Sequence, residues 1–171
     1  MTANITLISG EGSSEQCLLS AESIGYGVLD SACTKTVAGV TWMREFLSTL
    51  SETEHTEATK SERKNNSVFR FGDGVETRSI KTVDLPVKIC SKSFTIEVDV
   101  VPNDIPLLIS KPSMSRMGMK IDFAANQAEI CGEVMPLNCT TSGHYCIPLS
   151  YFVSEKCNVV FNVEKVYGFS Q

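Results

Sequence analysis

Short apolar runs separated by turn-forming residues make up most of the chain. Runs of this kind occupy residues 5–8, 26–29, 67–71, 83–89 and 94–101. Alternation of apolar and polar positions indicates a half-buried strand, and residues 94–101 show it most clearly. Residues 105–109 are continuously apolar, as in a strand buried on both faces. Residues 120–123 and 127–131 flank a turn at residues 124–126, which predicts a further hairpin.

Helical periodicity is confined to two short segments. Apolar side chains recur at helical spacing within residues 41–50, at Trp42, Phe46, Leu47 and Leu50. This spacing predicts a short amphipathic helix. Residues 111–117 have Pro112 near their start and Gly118 just past their end, the asymmetry typical of a helix. The predicted class is therefore mostly β with two short helices, which favours a small barrel or sandwich.

One long polar segment separates the first helix from the strand around Phe69. Residues 51–66 are polar or charged and contain almost no large apolar side chain. Such a segment cannot fill a core, so we predict an exposed polar loop. Because a loop of this kind buries little apolar area, it should tolerate shortening.

Composition narrows the class of protein further. The 171 residues are 42% hydrophobic and 20% charged, with a formal net charge of −5, which suits one folded domain. The sequence has no basic patch of the kind that binds nucleic acid, and no apolar run is long enough to span a membrane. The start does not resemble a secretory signal. The seven irregularly spaced cysteines therefore predict reduced thiols, mostly buried, and a cytoplasmic location.

Three motifs could carry chemistry, and each also has a purely structural interpretation. Residues 28–31 (VLDS) run a strand into Asp30, where backbone N–H groups and the Ser31 hydroxyl can hold the carboxylate. The same dipeptide is common in ordinary turns. Residues 72–74 (GDG) between alternating residues predict a hairpin, which could cover a bound peptide or be a surface turn. Residues 105–109 indicate only a core strand.

Taken in this order, the motifs resemble the retropepsin-like aspartic protease region of retrotransposon and retroviral polyproteins. The matching segments are VLDSACTKTVAG at 28–39 with Trp42, FRFGDG at 69–74, DVV at 99–101, DIPLLISKPSM at 104–114 and TTSGHYCIPL at 140–149. The resemblance implies a closed retropepsin-like β-barrel at residues 17–149, active as a homodimer. Residues 1–16 and 150–171 would then be N-terminal and C-terminal extensions.

The resemblance also assigns roles to individual residues. It makes Asp30 the catalytic aspartate. It assigns support of the active-site loop to Ser31, Ala32 and Thr34. The residues that it places in the flap or against substrate are Phe71, Gly72, Asp73 and Gly74. The residues that it places in the strand behind the site are Leu107, Leu108, Ile109 and Ser110. It implies no cofactor and no metal, and its substrate is a peptide or polyprotein.

The chemistry of this family requires two carboxylates that share one proton, since both cannot ionise so close together. The chain contains one catalytic triplet of the family's kind, at residues 30–32 (DSA), and therefore one catalytic aspartate. The second carboxylate must then come from a second copy of the chain. The remaining aspartates near strands are interpreted as turn or solvated residues. These are Asp73, Asp84, Asp99, Asp104 and Asp122.

Two positions depart from the family pattern. Ala32 and Ser110 both stand where glycine is usual. Alanine keeps the backbone N–H that can donate to a carboxylate, but its methyl group requires a negative φ and free space. Ala32 therefore favours an alternative, in which the chain is a catalytically inactive retropepsin-like dimerisation or binding module derived from a mobile element.

Two other kinds of site are open on composition alone. A cysteine hydrolase could use Cys33 or Cys146 with His144 or His55, although no family-type spacing supports it. A metal could in principle bind Cys139, His144 and Cys146, but that spacing lacks a second ligand pair. Thiols beside a strand are the simpler interpretation.

Overall fold

The computed structural model describes residues 24–149. The strand predicted at residues 5–8 lies outside these residues, as do the two predicted extensions at residues 1–16 and 150–171.

The described chain contains thirteen strands and three helices. The strands are β1 (Tyr26–Asp30), β2 (Val37–Gly39), β3 (Arg63–Lys64), β4 (Val68–Arg70), β5 (Glu76–Arg78), β6 (Lys81–Ile89), β7 (Lys92–Val101), β8 (Leu107–Ser110), β9 (Lys120–Asp122), β10 (Gln127–Ile130), β11 (Glu133–Pro136), β12 (Asn138–Cys139) and β13 (Tyr145–Pro148). The helices are α1 (Val40–Thr49), α2 (Glu52–Lys60) and α3 (Lys111–Arg116). The predicted class, mostly β with a few short helices, is confirmed.

Eight strands form one mixed sheet in the order β12-β13-β1-β8-β2-β7-β6-β3. Strands β9 to β11 form a second sheet, and β4 pairs only with β5. The prediction of a closed barrel is wrong for residues 24–149, because the edge strands β3 and β12 do not pair with each other. Closure requires two edges that pair along their length. Each of these edges is only two residues long, and both residues of β3 are exposed and charged.

Strand β8 lies between β1 and β2, although residues 31–36 connect β1 directly to β2. It runs parallel to β1 in a register that pairs Gly27 with Leu107 and Asp30 with Ser110. Both strands are fully buried, which accounts for their continuous apolar sequence. Gly27 permits the close approach, since a Cβ there would lie 2.5 Å from the Cδ1 atom of Ile109. This packing brings the ends of β1 and β8 together.

Apolar side chains form two clusters. The larger contains Trp42 and Phe46 of α1, whose rings stack with centroids 4.9 Å apart. The smaller cluster, which we call the site-side cluster, consists of Tyr26, Val28, Val37, Val101, Leu108 and Cys146. Side chains alternate along a strand, so Asp30 lies on the face of β1 that carries the site-side cluster.

The predicted helices at residues 41–50 and 111–117 are confirmed as α1 and α3. The hydroxyl of Ser110 caps α3 by accepting a hydrogen bond of 3.3 Å from the backbone N–H of Ser113. Pro112 lies in the first turn, and Gly118 follows the helix with a φ of +65°, the left-handed conformation that glycine adopts easily. Within residues 24–149, none of the helices is long and apolar enough to cross a membrane.

Residues 51–66 are not a loop, and that prediction is wrong. They contain α2, whose first turn is fixed by reciprocal hydrogen bonds between Ser51 and Glu54. Ala58 is buried, and the Ser61 hydroxyl accepts a hydrogen bond from the backbone N–H of Asp84 in β6. Most of α2 is exposed, as expected of this composition. The capping box fixes the start of α2, and the contacts of Ala58 and Ser61 with the rest of the fold hold this short helix in place without an apolar stripe.

Candidate active site

Asp30 is the last residue of β1, and only 5% of it is exposed. Its Oδ1 atom accepts hydrogen bonds from the backbone N–H groups of Ala32 at 3.0 Å and Cys33 at 3.3 Å. Its Oδ2 atom accepts from the Cys33 thiol at 3.1 Å. The loop that follows β1 therefore orients both oxygens of the carboxylate.

The loop at residues 31–36 begins as a tight turn, in which the N–H of Cys33 also contacts the carbonyl oxygen of Asp30 at 3.2 Å. Ser31, Ala32 and Thr34 are exposed. Ala32 is not among the described non-glycine residues with positive φ, which are Cys90, Asn126 and Cys131. Where φ is not positive and the methyl group is exposed, no glycine is needed. Ala32 therefore meets both conditions that were set for alanine at this position, a negative φ and free space for the methyl group.

A buried group of hydroxyls ties this loop to the junction of β8 and α3. We call it the hydroxyl cluster, and it consists of Thr36, Ser110 and Ser113, each at most 4% exposed. Thr36 donates to the Ser110 hydroxyl at 3.1 Å and accepts from the Ser110 backbone N–H at 3.0 Å. Its hydroxyl also lies 2.8 Å from that of Ser113.

The Ser110 hydroxyl makes two contacts that glycine could not supply, the cap of α3 and the hydrogen bond from the Thr36 hydroxyl, whereas the backbone contact with Thr36 does not depend on the side chain. Thr34, predicted from the resemblance to support this loop, is exposed, whereas the buried threonine is Thr36. Sequence reasoning missed Thr36 and Ser113. The spacing Ser110-x-x-Ser113 at a helix start was the available signal.

The hairpin predicted around residues 72–74 is present as β4 and β5. Its turn is closed by a hydrogen bond from the N–H of Gly74, at a φ of +75°, to the carbonyl oxygen of Phe71. Gly72, Asp73 and Gly74 are exposed. Asp73 accepts from the N–H of Val75 at 2.9 Å, which is turn chemistry.

The aromatic residues of this hairpin face the site. The rings of Phe69 and Phe71 are parallel, with centroids 6.2 Å apart, and both side chains pack against the site-side cluster. Cys33 of the Asp30 loop packs against the same cluster. The hairpin and the loop that holds the carboxylate therefore share one apolar surface, which also includes Leu108 of β8.

A second buried carboxylate, Asp99 of β7, lies below the base of the hairpin. It is 4% exposed, so its interpretation as a solvated residue is wrong. Its Oδ1 atom accepts from the Thr82 hydroxyl and the Asn65 amide, each at 2.7 Å. The Lys35 ammonium lies 4.0 Å from its Oδ2 atom and donates to the Ser67 hydroxyl at 2.8 Å. We call these five residues the Asp99 network.

His144 precedes β13, and its Nδ1 atom lies 2.8 Å from the Ser142 hydroxyl. β13 is antiparallel to β1, and Cys146 pairs with Val28. If this register is continued by two residues, His144 stands opposite Asp30. Burial lowers the pKa of His144, and the negative charge of Asp30 partly opposes that shift. Sequence reasoning considered His144 only as a partner for cysteines and missed this position beside the carboxylate.

The thiols do not suit nucleophilic catalysis. Partial burial raises the pKa of Cys33 to about 12, with a further contribution from Asp30, and burial raises the pKa of Cys146 to about 12. Because the thiolate is the nucleophile, these shifts disfavour a cysteine hydrolase. Of the five described cysteines, all free, only Cys146 is buried, so the prediction that most are buried is wrong. No group of three His, Cys, Asp or Glu side chains within residues 24–149 is arranged to hold a metal.

No protein-family model matches the chain, and no curated protein matches it. Among the solved structures that the chain matches is one described as the retroviral protease-like domain of Ddi1 from Leishmania major. The two chains are 16% identical, the alignment covers 63% of this chain and 79% of that one, and the TM-score is 0.42.

Proposed function

We propose that this chain is the subunit of a homodimeric aspartic endopeptidase of the retrotransposon type. The observation that supports this most is the state of Asp30, a buried carboxylate at the end of a strand. Two backbone N–H groups of the following loop orient one of its oxygens. A carboxylate that is fixed in direction and shielded from bulk water is suited to general acid–base work.

The proposed chemistry needs a second carboxylate beside the first. Two aspartates about 3 Å apart cannot both ionise, so they hold one proton between them. The ionised one removes a proton from a water molecule that attacks the peptide carbonyl, and the protonated one donates to the substrate. One chain supplies a single Asp30, so the second would come from a twofold-related copy.

The surroundings of Asp30 fit an extended peptide. Val28 and Leu108 of the site-side cluster lie on the same side of the sheet as the carboxylate, and Phe69 and Phe71 of the hairpin pack against that cluster. An apolar surface beside a carboxylate can bind the side chains of a peptide, and a hairpin above it can exclude water. A polyprotein segment without stable structure would have the required flexibility.

Ala32 supports an active enzyme over an inactive module. The inactive alternative depended on the Ala32 methyl group disturbing the loop. That methyl group is exposed, and the Ala32 N–H donates to Asp30 at 3.0 Å. The group that glycine would supply at this position is therefore present.

The test is cleavage of an unstructured protein at about pH 5, where one shared proton is expected on a dyad of this kind. Wild-type protein should cleave it, pepstatin should stop cleavage, and Asp30→Asn should be inactive. The matched control is Asp104→Asn, which removes the same charge from an exposed position and should remain active. Absence of cleavage by the wild type, or equal cleavage by Asp30→Asn, would refute the proposal.

A further inference from the structure

His144 projects from the face of the main sheet that carries the site-side cluster. Side chains alternate between the two faces along a strand. In β13, Tyr145 and Ile147 pack with the larger apolar cluster, whereas Cys146 belongs to the site-side cluster. The carbonyl oxygen of His144 accepts from the N–H of Thr140 at 2.8 Å, which extends the pairing of β12 with β13 by one residue. His144 therefore continues the alternation on the side of Cys146.

On that face, His144 is the cross-strand neighbour of Asp30. β13 pairs Cys146 with Val28, and the same antiparallel register carried two residues further sets His144 opposite Asp30. Side chains directly opposite each other on neighbouring strands have Cβ atoms about 4.5–5.5 Å apart. The negative charge of Asp30 acts on the pKa of His144, which agrees with this proximity.

Hydrogen bonds within the turn before β13 fix the orientation of the imidazole ring. The N–H of His144 donates to the Thr140 hydroxyl oxygen at 3.1 Å, and that oxygen lies 2.9 Å from the Ser142 hydroxyl. The Ser142 hydroxyl lies 2.8 Å from the Nδ1 atom of His144. Thr140 is buried, and Ser142 is the side-chain acceptor within reach of its hydroxyl proton. Each proton has an acceptor when Thr140 donates to Ser142 and Ser142 donates to Nδ1, which leaves the proton of the neutral ring on Nε2.

The Nε2–H group of His144 is available to a ligand. Within residues 24–149, the hydrogen bonds of His144 involve its backbone and Nδ1, and none involves Nε2. Asp30 accepts from Ala32 and Cys33 and not from His144. His144 is only half-buried and Ser142 is exposed, so this turn is open to a second molecule. Nε2 is a donor both in this neutral tautomer and in the protonated ring.

We propose that His144 is a substrate-binding residue, whose Nε2–H group donates to a backbone carbonyl oxygen of the bound peptide beside the bond that is cleaved. This inference rests on the proposed function. A peptide that lies along the site-side cluster loses water from its carbonyl groups, and each of them then needs a donor. A donor on the strand next to β1, about 5 Å from it, supplies one of them. In the proposed dimer, each subunit contributes one such donor.

Two variants separate this role from a purely structural role in the turn. His144→Gln places an amide NH₂ group near the position of Nε2–H and lacks an acceptor at the position of Nδ1. His144→Asn places its amide oxygen near the position of Nδ1 and has no donor at the position of Nε2. If Nε2–H binds the peptide, glutamine replaces histidine. If Nδ1 only holds the turn through Ser142, asparagine replaces it.

The first experiment measures kcat and KM of the wild type and both variants on one peptide substrate. His144→Gln should stay within about threefold of the wild-type kcat/KM, whereas His144→Asn should fall about five- to tenfold, as expected for one lost hydrogen bond. The fall should come from a higher KM with kcat nearly unchanged, since a contact already made by the bound substrate contributes equally to the transition state. Because the contact is with the peptide backbone, peptides of different sequence should show the same loss. Chemical denaturation checks that both variants are folded.

The second experiment needs no catalytic activity. Nitrogen NMR of the imidazole rings reports which ring nitrogen carries the proton in the folded wild-type protein. Burial lowers the pKa of His144, so its ring is neutral at neutral pH and should show one tautomer, with the proton on Nε2. Ser142→Ala should introduce the other tautomer. The second histidine of the chain, His55, is exposed on α2 and is the internal reference. A proton on Nδ1 of His144 in the wild type would overturn the inference.

The outcomes separate the two proposals. If wild-type protein cleaves and His144→Asn preserves activity as well as or better than His144→Gln, the role of His144 is wrong and the proposed function stands. A loss confined to kcat would also contradict a contact made by the bound substrate. If wild-type protein does not cleave, the proposed function fails, and the inference about His144 fails with it.

Discussion

Two buried carboxylates lie on the same side of the main sheet, and they are held in different ways. Asp30 ends β1 and is bound by the N–H groups and the thiol of its own loop. Asp99 lies within β7 and is bound by the side chains of Thr82 and Asn65, which come from distant parts of the chain. The positively charged ammonium group of Lys35 lies near the Asp99 carboxylate.

Under the proposed function, this difference separates the proposed reacting group, Asp30, from a structural carboxylate, Asp99. The donors of Asp99 join β6, β7 and the segment before the hairpin, so its hydrogen bonds stabilise the fold and fix the base of the hairpin. The donors of Asp30 belong to a single turn whose Ser31 and Ala32 are exposed, so a second molecule can approach the loop that holds this carboxylate. Burial alone does not identify a catalytic aspartate, whereas burial at a strand end beside an exposed loop supports the assignment.

The largest expected effect is on proteolysis. Asp30→Asn should lower kcat/KM on the order of a thousandfold or more, because it removes the acid–base group. Asp99→Asn keeps an oxygen that accepts hydrogen bonds and should retain readily measurable activity. Kinetics of both variants on one peptide substrate would check this. Equal losses in the two variants would mean that the distinction between the two carboxylates is wrong.

Stability should show the opposite order. Asp99→Ala leaves the buried Thr82 hydroxyl without its acceptor and removes one of the acceptors of the half-buried Asn65 amide, so it should lower the free energy of unfolding by roughly 1–3 kcal/mol. Asp30→Asn keeps the shape of the side chain and should cost less. Asp84→Ala serves as a control, since its partner Arg63 is exposed and such pairs contribute about 1 kcal/mol or less. Chemical denaturation measures all three, and a smaller loss for Asp99→Ala than for Asp84→Ala would contradict the network.

Replacing Ala32 by glycine tests the loop of Asp30 alone. The Ala32 N–H is the group that contacts the carboxylate, and glycine retains it, so activity should stay the same or rise. Stability should fall by about 0.5–1 kcal/mol, because glycine loses more backbone freedom on folding. A large loss of activity in a folded Ala32→Gly protein would show that the methyl group itself has a function, for instance against the second subunit.

The smallest expected effect is the pH dependence of stability due to His144. Burial lowers the pKa of His144 in the folded state, so the unfolded chain binds this proton more readily. Stability should therefore decrease as the pH falls through the ordinary histidine range near 6.5. His144→Gln should remove that part of the decrease. Thermal melts between about pH 5 and 8 would test it, and identical pH dependence in the two proteins would argue against it.

The sequence was sufficient for features that depend on local pattern. Asp30 at a strand end, the turn at residues 72–74 and the apolar strand before α3 were all predicted from adjacent residues, and the resemblance connected them. The capping box of Ser51 and Glu54 was also local, but it was overlooked because α2 has no apolar stripe.

Features that depend on contacts between distant residues were not predictable in this way. Thr36 and Ser110 are 74 residues apart, and Asn65 and Asp99 are 34 apart. No local pattern marks either pair, so the hydroxyl cluster and the burial of Asp99 emerged only from the fold. The open sheet was missed for a related reason, since pairing between two edge strands is decided by their length and position in space.

The central claim is that two copies of Asp30 form one active site, and a mixing experiment tests it most directly. A fixed amount of wild-type protein is mixed with a ninefold excess of Asp30→Asn protein and allowed to exchange subunits. Random pairing leaves roughly a tenth of the wild-type chains in fully wild-type dimers, so activity should fall to about that level. The same excess of Asp104→Asn protein, which should itself be active, should instead raise the total activity in proportion to the added chains. Undiminished activity in the first mixture, together with an active monomer by sedimentation, would contradict the shared site.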